Sequence, residues 1–208
     1  MMKVIIPTCD KYLWIAPTFL HFYKKNWPDN PYQTEYVTEI IKVEGVPTFC
    51  VGKLPWADRI MKYLAFYKEE KFLLILDDCV LTSKVDTVKI KEAEKLCTGS
   101  IGCVRLSANS TRRHFLFDVG IPGFKEYPLD KPYLISTQAA FWQKDFFLDC
   151  LKKGESIWQT ETEGSKRICK SKKRVISSDV PIISHHHGGY IRKGKIVKSV
   201  SEWIKENW

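Results

Sequence analysis

Two aspartates stand side by side at positions 77 and 78, directly after the apolar run 72–76. Adjacent carboxylates repel, so both stay ionised only where a cation or hydrogen-bond donors share the charge. At the carboxyl end of a buried strand they would face the crevice where α/β sheets take ligands. Mg2+ or Mn2+, held by one or two carboxylates and by the oxygens of a diphosphate, is the chemistry that fits. The plainer reading is that one aspartate caps the turn that follows. A second unusual group is His185-His186-His187-Gly188-Gly189, which is internal to the chain. Alternate residues of an extended segment share a side, so His185 and His187 are spaced to meet one metal ion or one diphosphate. The glycines permit close approach of backbone to phosphate. A surface loop of adjacent histidines is the alternative.

Such groups need a scaffold, and the hydrophobic pattern supplies one. Residues 3–6 read as a strand stopped by Pro7-Thr8-Cys9-Asp10, and 13–25 as an aromatic-rich helix ended by Trp27-Pro28-Asp29-Asn30-Pro31. Strands follow at 35–43 and 48–51, a helix at 57–67, the buried strand at 72–76, a helix at 85–96 and a strand at 100–106. This alternation predicts an α/β fold with a mostly parallel central sheet and flanking helices. The second half is less regular: a strand over 133–141, a helix over 144–151, a basic segment from Lys166 to Arg174, a strand running into a loop over 181–187 and a terminal helix over 202–208. With no internal repeat and no low-complexity linker, a single domain over 1–208 is expected.

The chain has 208 residues and a net charge of +9. From Leu151 onward there are 13 Lys and Arg against 6 Asp and Glu, a concentration that suits nucleic acid, a phosphorylated donor, or a solvated basic face. The seven cysteines include no C-x-x-C pair, which argues for a reduced compartment and against a structural zinc site. No apolar run approaches the length of a membrane span, and the first residues read as a strand, so a cytoplasmic protein is expected. The absence of G-x-x-x-x-G-K-[ST] disfavours a P-loop kinase.

The order of these features resembles the GT-A glycosyltransferases, in which a short first strand ends in a polar loop and an acidic motif, usually Asp-x-Asp, follows a strand in mid-chain. Here that motif stands as Asp77-Asp78-Cys79, without the carboxylate at its third position. The chain also resembles small bacterial and phage sugar transferases with a Leu-Asp-Asp-x-x-Leu motif, present from Leu76 to Leu81, preceded by Trp56-x-x-Arg59-Ile60. The resemblance implies a nucleotide-binding half over about 1–106 and an acceptor half over about 107–208. It implies contact with nucleotide or diphosphate for Thr8, Asp10, Arg59, Asp77 and Asp78, with Arg105 a further candidate for the diphosphate. Asp10 is equally placed to cap the helix near Tyr12, Trp56 equally reads as core, and Arg105 as the partner of a carboxylate. A divalent metal, Mn2+ or Mg2+, would be held by Asp78 with His185 and His187. Arg192 and Lys195, within Arg192-Lys193-Gly194-Lys195, look like a basic lid over the leaving diphosphate.

By the same resemblance Ser136, Gln138, Trp142 and Trp158 would meet the sugar or the acceptor. An inverting transferase needs a carboxylate base for the acceptor hydroxyl. Glu161 is the first candidate, Glu163 the second and Asp145 the third; a solvated acidic turn is the other reading of 158–165. The function implied is transfer of a hexose or pentose from a nucleotide-diphosphate sugar to a hydroxyl of a glycan or of a modified base in DNA. In the latter case the run from Lys166 to Arg174 would carry the phosphate backbone. Two rivals remain: nucleotidyl transfer or other diphosphate chemistry on a similar sheet, and a non-enzymatic basic nucleic-acid-binding module.

Overall fold

The computed structural model describes residues 1–107, 116–186, 188–192 and 194–208. Its central strands are apolar on both faces, the pattern of a sheet covered on two sides. In β1 (Lys3–Pro7) Val4 and Ile6 enter one core and Ile5 the other, and β4 (Lys71–Leu74) divides Leu73 from Phe72 and Leu74 in the same way. β2 (Gln33–Thr38) and β3 (Thr48–Cys50) continue this half with parallel pairing, in the order β3-β2-β1-β4. Beyond β4 the sheet is mixed. β8 (Ala140–Gln143) lies antiparallel between β4 and β5 (Ile101–Arg105), and β9 (Arg174–Ser178) runs parallel to β5. β7 (Phe124–Tyr127) and β6 (Phe117–Asp118) finish the far edge antiparallel.

Helices cover both faces. α1 (Ala16–Asn26) and α3 (Thr87–Leu96) bring Phe19, Tyr23, Ile90 and Ala93 to one core. α2 (Trp56–Phe66) and α4 (Lys144–Cys150) bring Ala57, Ile60, Leu64, Phe146 and Phe147 to the other. In α2 the buried positions recur at three and four residues, so one stripe faces the sheet. α3 starts where the Asp86 carboxylate accepts from the amides of Val88 and Lys89 at 3.0 and 3.1 Å.

The second half corrects several expectations. Residues 158–165 are no turn but part of α5 (Ile157–Arg167), opened by a reciprocal Ser156–Gln159 cap. Gly164 sits inside this helix because a Cβ there would stand 2.6 Å from the Cys150 carbonyl oxygen, so only glycine lets α5 lie against the end of α4. The strand expected over 133–141 begins only at Ala140. The preceding residues run irregularly beside α5, where the Ile135 amide donates to the Ser165 hydroxyl at 3.0 Å. The basic run passes into β9, and the last helix, α6 (Lys198–Asn207), begins before Glu202. Between them β10 (Ile191–Arg192) and β11 (Lys195–Ile196) form a small hairpin. α6 docks Val200 and Ile204 against Ile15, Phe22, Val80 and Tyr190, while Trp208 stacks on His21 at 4.5 Å. Among the described residues no helix is long and apolar enough to cross a membrane.

Candidate active site

The site forms where β1 and β4 end together. Past β1 the Thr8 amide still donates to the Val37 carbonyl at 3.0 Å, and past β4 the Ile75 amide donates to the Ile5 carbonyl at 3.1 Å. The chain then reverses, with the Cys79 amide donating to the Leu76 carbonyl at 3.1 Å, so Asp77 and Asp78 are the two central residues of a turn at the sheet's carboxyl edge. Asp77 is 6% exposed; its carboxylate accepts from the Thr8 hydroxyl, while Oδ2 is buried with no partner among the described residues. Burial, and then repulsion from Asp78, push the Asp77 carboxyl up to about 7. Burial also pushes Asp78 up to about 6, with Glu161 adding to it; the Cys79 thiol at 3.8 Å and the Ile191 amide work in the opposite direction. The buried Tyr36 hydroxyl likewise has no partner among the described residues, and burial together with Asp77 holds its phenol well above the ordinary range. Beneath the loop, buried Arg59 donates through Nη1 to the Thr8 carbonyl. Of the pair, Asp77 Oδ2 is the oxygen left without a partner among the described residues.

Near enough for its charge to act on Asp78 is Glu161, on the face of α5 that meets the irregular segment before β8. Its Oε1 accepts from the Thr137 amide at 2.7 Å and from the Thr137 hydroxyl at 2.9 Å. Its charge reaches Asp78 and Cys79. The C-terminal arm completes the enclosure. Leu81 bridges to His185, the Thr82 amide donates to the Ser184 carbonyl at 3.0 Å, and the Tyr190 amide to the Asp78 carbonyl at 2.7 Å. Gly189 has φ +73, and a Cβ on it would stand 2.5 Å from Asp78 Oδ2, so glycine is required on both counts. The hairpin that follows carries exposed Arg192 and Lys195 next to the Ile191 amide that bonds Asp78.

Among the described residues no three His, Cys, Asp or Glu side chains gather into a metal site. The carboxylates of Asp77 and Asp78, one with a bare buried oxygen, nevertheless suit Mg2+ or Mn2+, which take few protein ligands and fill the rest with phosphate and water. His185 is on the segment paired with Leu81, its Nδ1 2.9 Å from the His186 carbonyl oxygen. His187 and Lys193 lie outside the described residues.

No protein-family model and no curated protein matches the sequence. Solved structures do, at low identity. A mannosyltransferase from Pyrobaculum calidifontis, in complex with GDP-Man and Mn2+, matches over 93% of this chain and 58% of its own, with a TM-score of 0.57 and 14% identity. CMP:2-keto-3-deoxy-manno-octonic acid synthetase complexed with CTP matches over 100% of this chain and 99% of its own, with a TM-score of 0.60 and 11% identity. UDP-glucose pyrophosphorylase complexed with UDP-glucose covers 87% of this chain and 91% of its own, at 0.51 and 12%. The fold is of the GT-A type.

Within this GT-A fold the residues expected at the site divide. Thr8, Arg59, Asp77, Asp78 and Glu161 come together at the end of β1 and β4, with the arm that carries His185, Arg192 and Lys195 against them. Asp10 neither caps a helix with its side chain nor faces the turn: its Oδ1 accepts from the amides of Ile40 and Ile41 at 3.2 and 3.3 Å, tying down the loop after β2. Trp142 is fully buried, stacked on Phe146 and tilted against Phe147, and presents no face to a sugar. Trp56 is core as well. Glu163 points to solvent and pairs with Lys166 at 2.8 Å, and Asp145 pairs with Lys173 at 2.8 Å, so neither reaches the turn. Arg105 is buried with its guanidinium over the Tyr127 ring, Ser136 is buried beside Thr137, and Gln138 is half-exposed. Trp158, 67% exposed, stands one helical turn before Glu161 on α5.

Three contributors lay outside the sequence reading. Thr137 and Tyr36 carry no local motif; Tyr36 nears Asp77 through the pairing of the strands, and Thr137 meets Glu161 where the segment before β8 lies against α5. Trp14, half-exposed in the 3-10 helix Asp10–Ile15, packs edge-on against Tyr190 of the arm at 5.6 Å; in the sequence it is one aromatic among several of the helix expected over 13–25.

Proposed function

We propose that the protein transfers a sugar from a nucleotide-diphosphate sugar to a hydroxyl acceptor. The observation that carries this is Glu161, a carboxylate fixed by Thr137 and close enough to act on the charge of Asp78, beside the buried pair Asp77–Asp78 with its one bare oxygen. The GT-A fold, shared with a mannosyltransferase solved with GDP-Man and Mn2+, supports it. Asp77 and Asp78 would hold a divalent cation, which when bound would neutralise the donor's diphosphate. The loop Thr8–Asp10, braced by Arg59, lies beside the nucleotide, and Arg192 and Lys195 offset charge on the departing diphosphate. Glu161 takes the proton of the acceptor hydroxyl as its oxygen bonds to the anomeric carbon, and the bond from that carbon to the phosphate oxygen breaks with its electrons leaving on the nucleoside diphosphate. Trp158, exposed near Glu161, contributes to the acceptor side.

A second reading is nucleotidyl transfer, favoured by the end-to-end match with a CTP-bound synthetase. A thermal-shift panel separates the two, because a ligand that binds the folded state raises its apparent stability. A nucleotide sugar with Mn2+ is expected to raise Tm, and Asp77→Asn with Asp78→Asn to abolish the rise. Glu161→Gln is expected to keep the rise while sugar transfer falls by about 100-fold or more. No shift with any diphosphate nucleotide, with or without metal, overturns the proposal; consumption of NTPs with release of pyrophosphate moves it to the second reading.

A further inference from the structure

A carboxylate used as a base must present one oxygen to the incoming proton and hold it there, since a small misplacement costs rate without costing binding. Glu161 is placed unusually well for this. Both donors that reach it, the Thr137 amide at 2.7 Å and the Thr137 hydroxyl at 2.9 Å, converge on Oε1. Oε2 accepts nothing among the described residues. Thr137 is 2% exposed, and a buried hydroxyl is bonded as a rule; here the partner it finds is the carboxylate whose charge reaches Asp78. The same stretch of chain grips the helix again one turn on. The Ser165 hydroxyl accepts from the Ile135 amide at 3.0 Å and donates to the Glu161 carbonyl at 2.5 Å, fixing the backbone of Glu161 as Thr137 fixes its side chain.

We propose that Thr137 is the positioning residue for the base: by occupying Oε1 with two donors it assigns Oε2 to the acceptor's proton. Thr137 touches no reacting atom and acts through Glu161 alone. This rests on Glu161 as the base, and the experiment keeps the two apart. Thr137→Val keeps the shape and the amide bond and removes only the hydroxyl donor; Thr137→Ser restores it.

Release of nucleoside diphosphate from a nucleotide sugar, with water standing in as acceptor, gives a rate that needs no identified acceptor. Thr137→Val is expected to lower kcat about tenfold, the size of one hydrogen bond to a charged group, with the donor's KM within about twofold of wild type. Thr137→Ser is expected to recover most of the loss. In a Glu161→Gln background Thr137→Val is expected to change the rate by less than about twofold, because its only route to the chemistry is gone. An unchanged kcat in Thr137→Val while Glu161→Gln is slow overturns the positioning role alone. So does an equal loss in both backgrounds, which marks a merely structural effect. A wild-type rate in Glu161→Gln overturns the base itself, and the positioning role with it.

Discussion

At Asp77 two effects push in one direction, since burial and the charge of Asp78 both favour the protonated acid, and the donors from Thr8 and from the backbone of Asp77 and Asp78 do not offset them. The carboxyl therefore titrates near 7 in the fold against an ordinary 3.8. A carboxyl whose native value is raised stabilises the fold fully below its unfolded value, and that contribution is lost as pH rises through the native one. Stability is thus expected to fall between about pH 4 and pH 7 in metal-free protein. Asp77→Asn removes the titration, so it should raise stability at pH 8 by on the order of 2 kcal/mol, several degrees in Tm, and by little at pH 4. Melting curves at the two pH values check this; an equal gain at both would show that Asp77 is not the group responsible. Mn2+ should stabilise the wild type at pH 8 and leave the asparagine variant much less changed.

The arm after His185 shows how one element encloses another. Its backbone lies directly on Asp78, through the amides of Tyr190 and Ile191 and the missing side chain of Gly189. Gly189→Ala puts a methyl 2.5 Å from Asp78 Oδ2 and strains a left-handed φ. The expected outcome is an arm lifted from the turn, seen as faster tryptic cleavage at Arg192 and Lys195 and as a Tm lower by a few degrees. Cleavage at the wild-type rate would mean that the arm does not depend on this contact. α5 and Trp142 belong to the same scale. The helix was hidden by its polar, β-branched Trp-Gln-Thr-Glu-Thr-Glu-Gly-Ser sequence, although the Ser156-x-x-Gln159 box announced its start. Trp142 looked like a platform because an aromatic beside polar residues reads the same in a core and in a cleft. The helices on both faces of the sheet decided it: Trp142 falls with Ala140 in the core beneath α4, and Phe141 on the other face is buried as well. Trp142→Ala should therefore cost about 3–5 kcal/mol of stability whatever it does to activity, measured by urea unfolding.

Over the whole molecule the charge of +9 suggests a polyanion, yet the densest basic run is largely spent internally. Lys166 pairs with Glu163, Arg167 with Glu155, Lys173 with Asp145 and Arg174 with Glu126. Lys170 and Lys172 are left without an ion pair among the described residues. Two cations release few counterions. Binding to duplex DNA through this run is expected to show a slope of log K against log salt no steeper than about −2, whereas a track using the whole run would approach about −5. A steep slope that Lys170→Glu and Lys172→Glu flatten would reinstate DNA as the acceptor.

The sequence by itself determined what is written in local pattern. The run 72–76 is apolar on both faces and so had to be a central strand, which placed Asp77 and Asp78 at its open end. The α/β alternation of the first half follows from the same two periods, 2 for strands and 3.6 for helices. Only the tertiary structure decided which distant groups share the site. Thr137 and Glu161 are 24 residues apart, and Asp78 and Gly189 meet only because the arm folds back on the turn. It also decided which charges are spent on one another. Hydrophobic periodicity specifies which face of an element is buried, but a polar side chain acquires its partner from whatever the fold sets opposite it, and one sequence carries no signal for that.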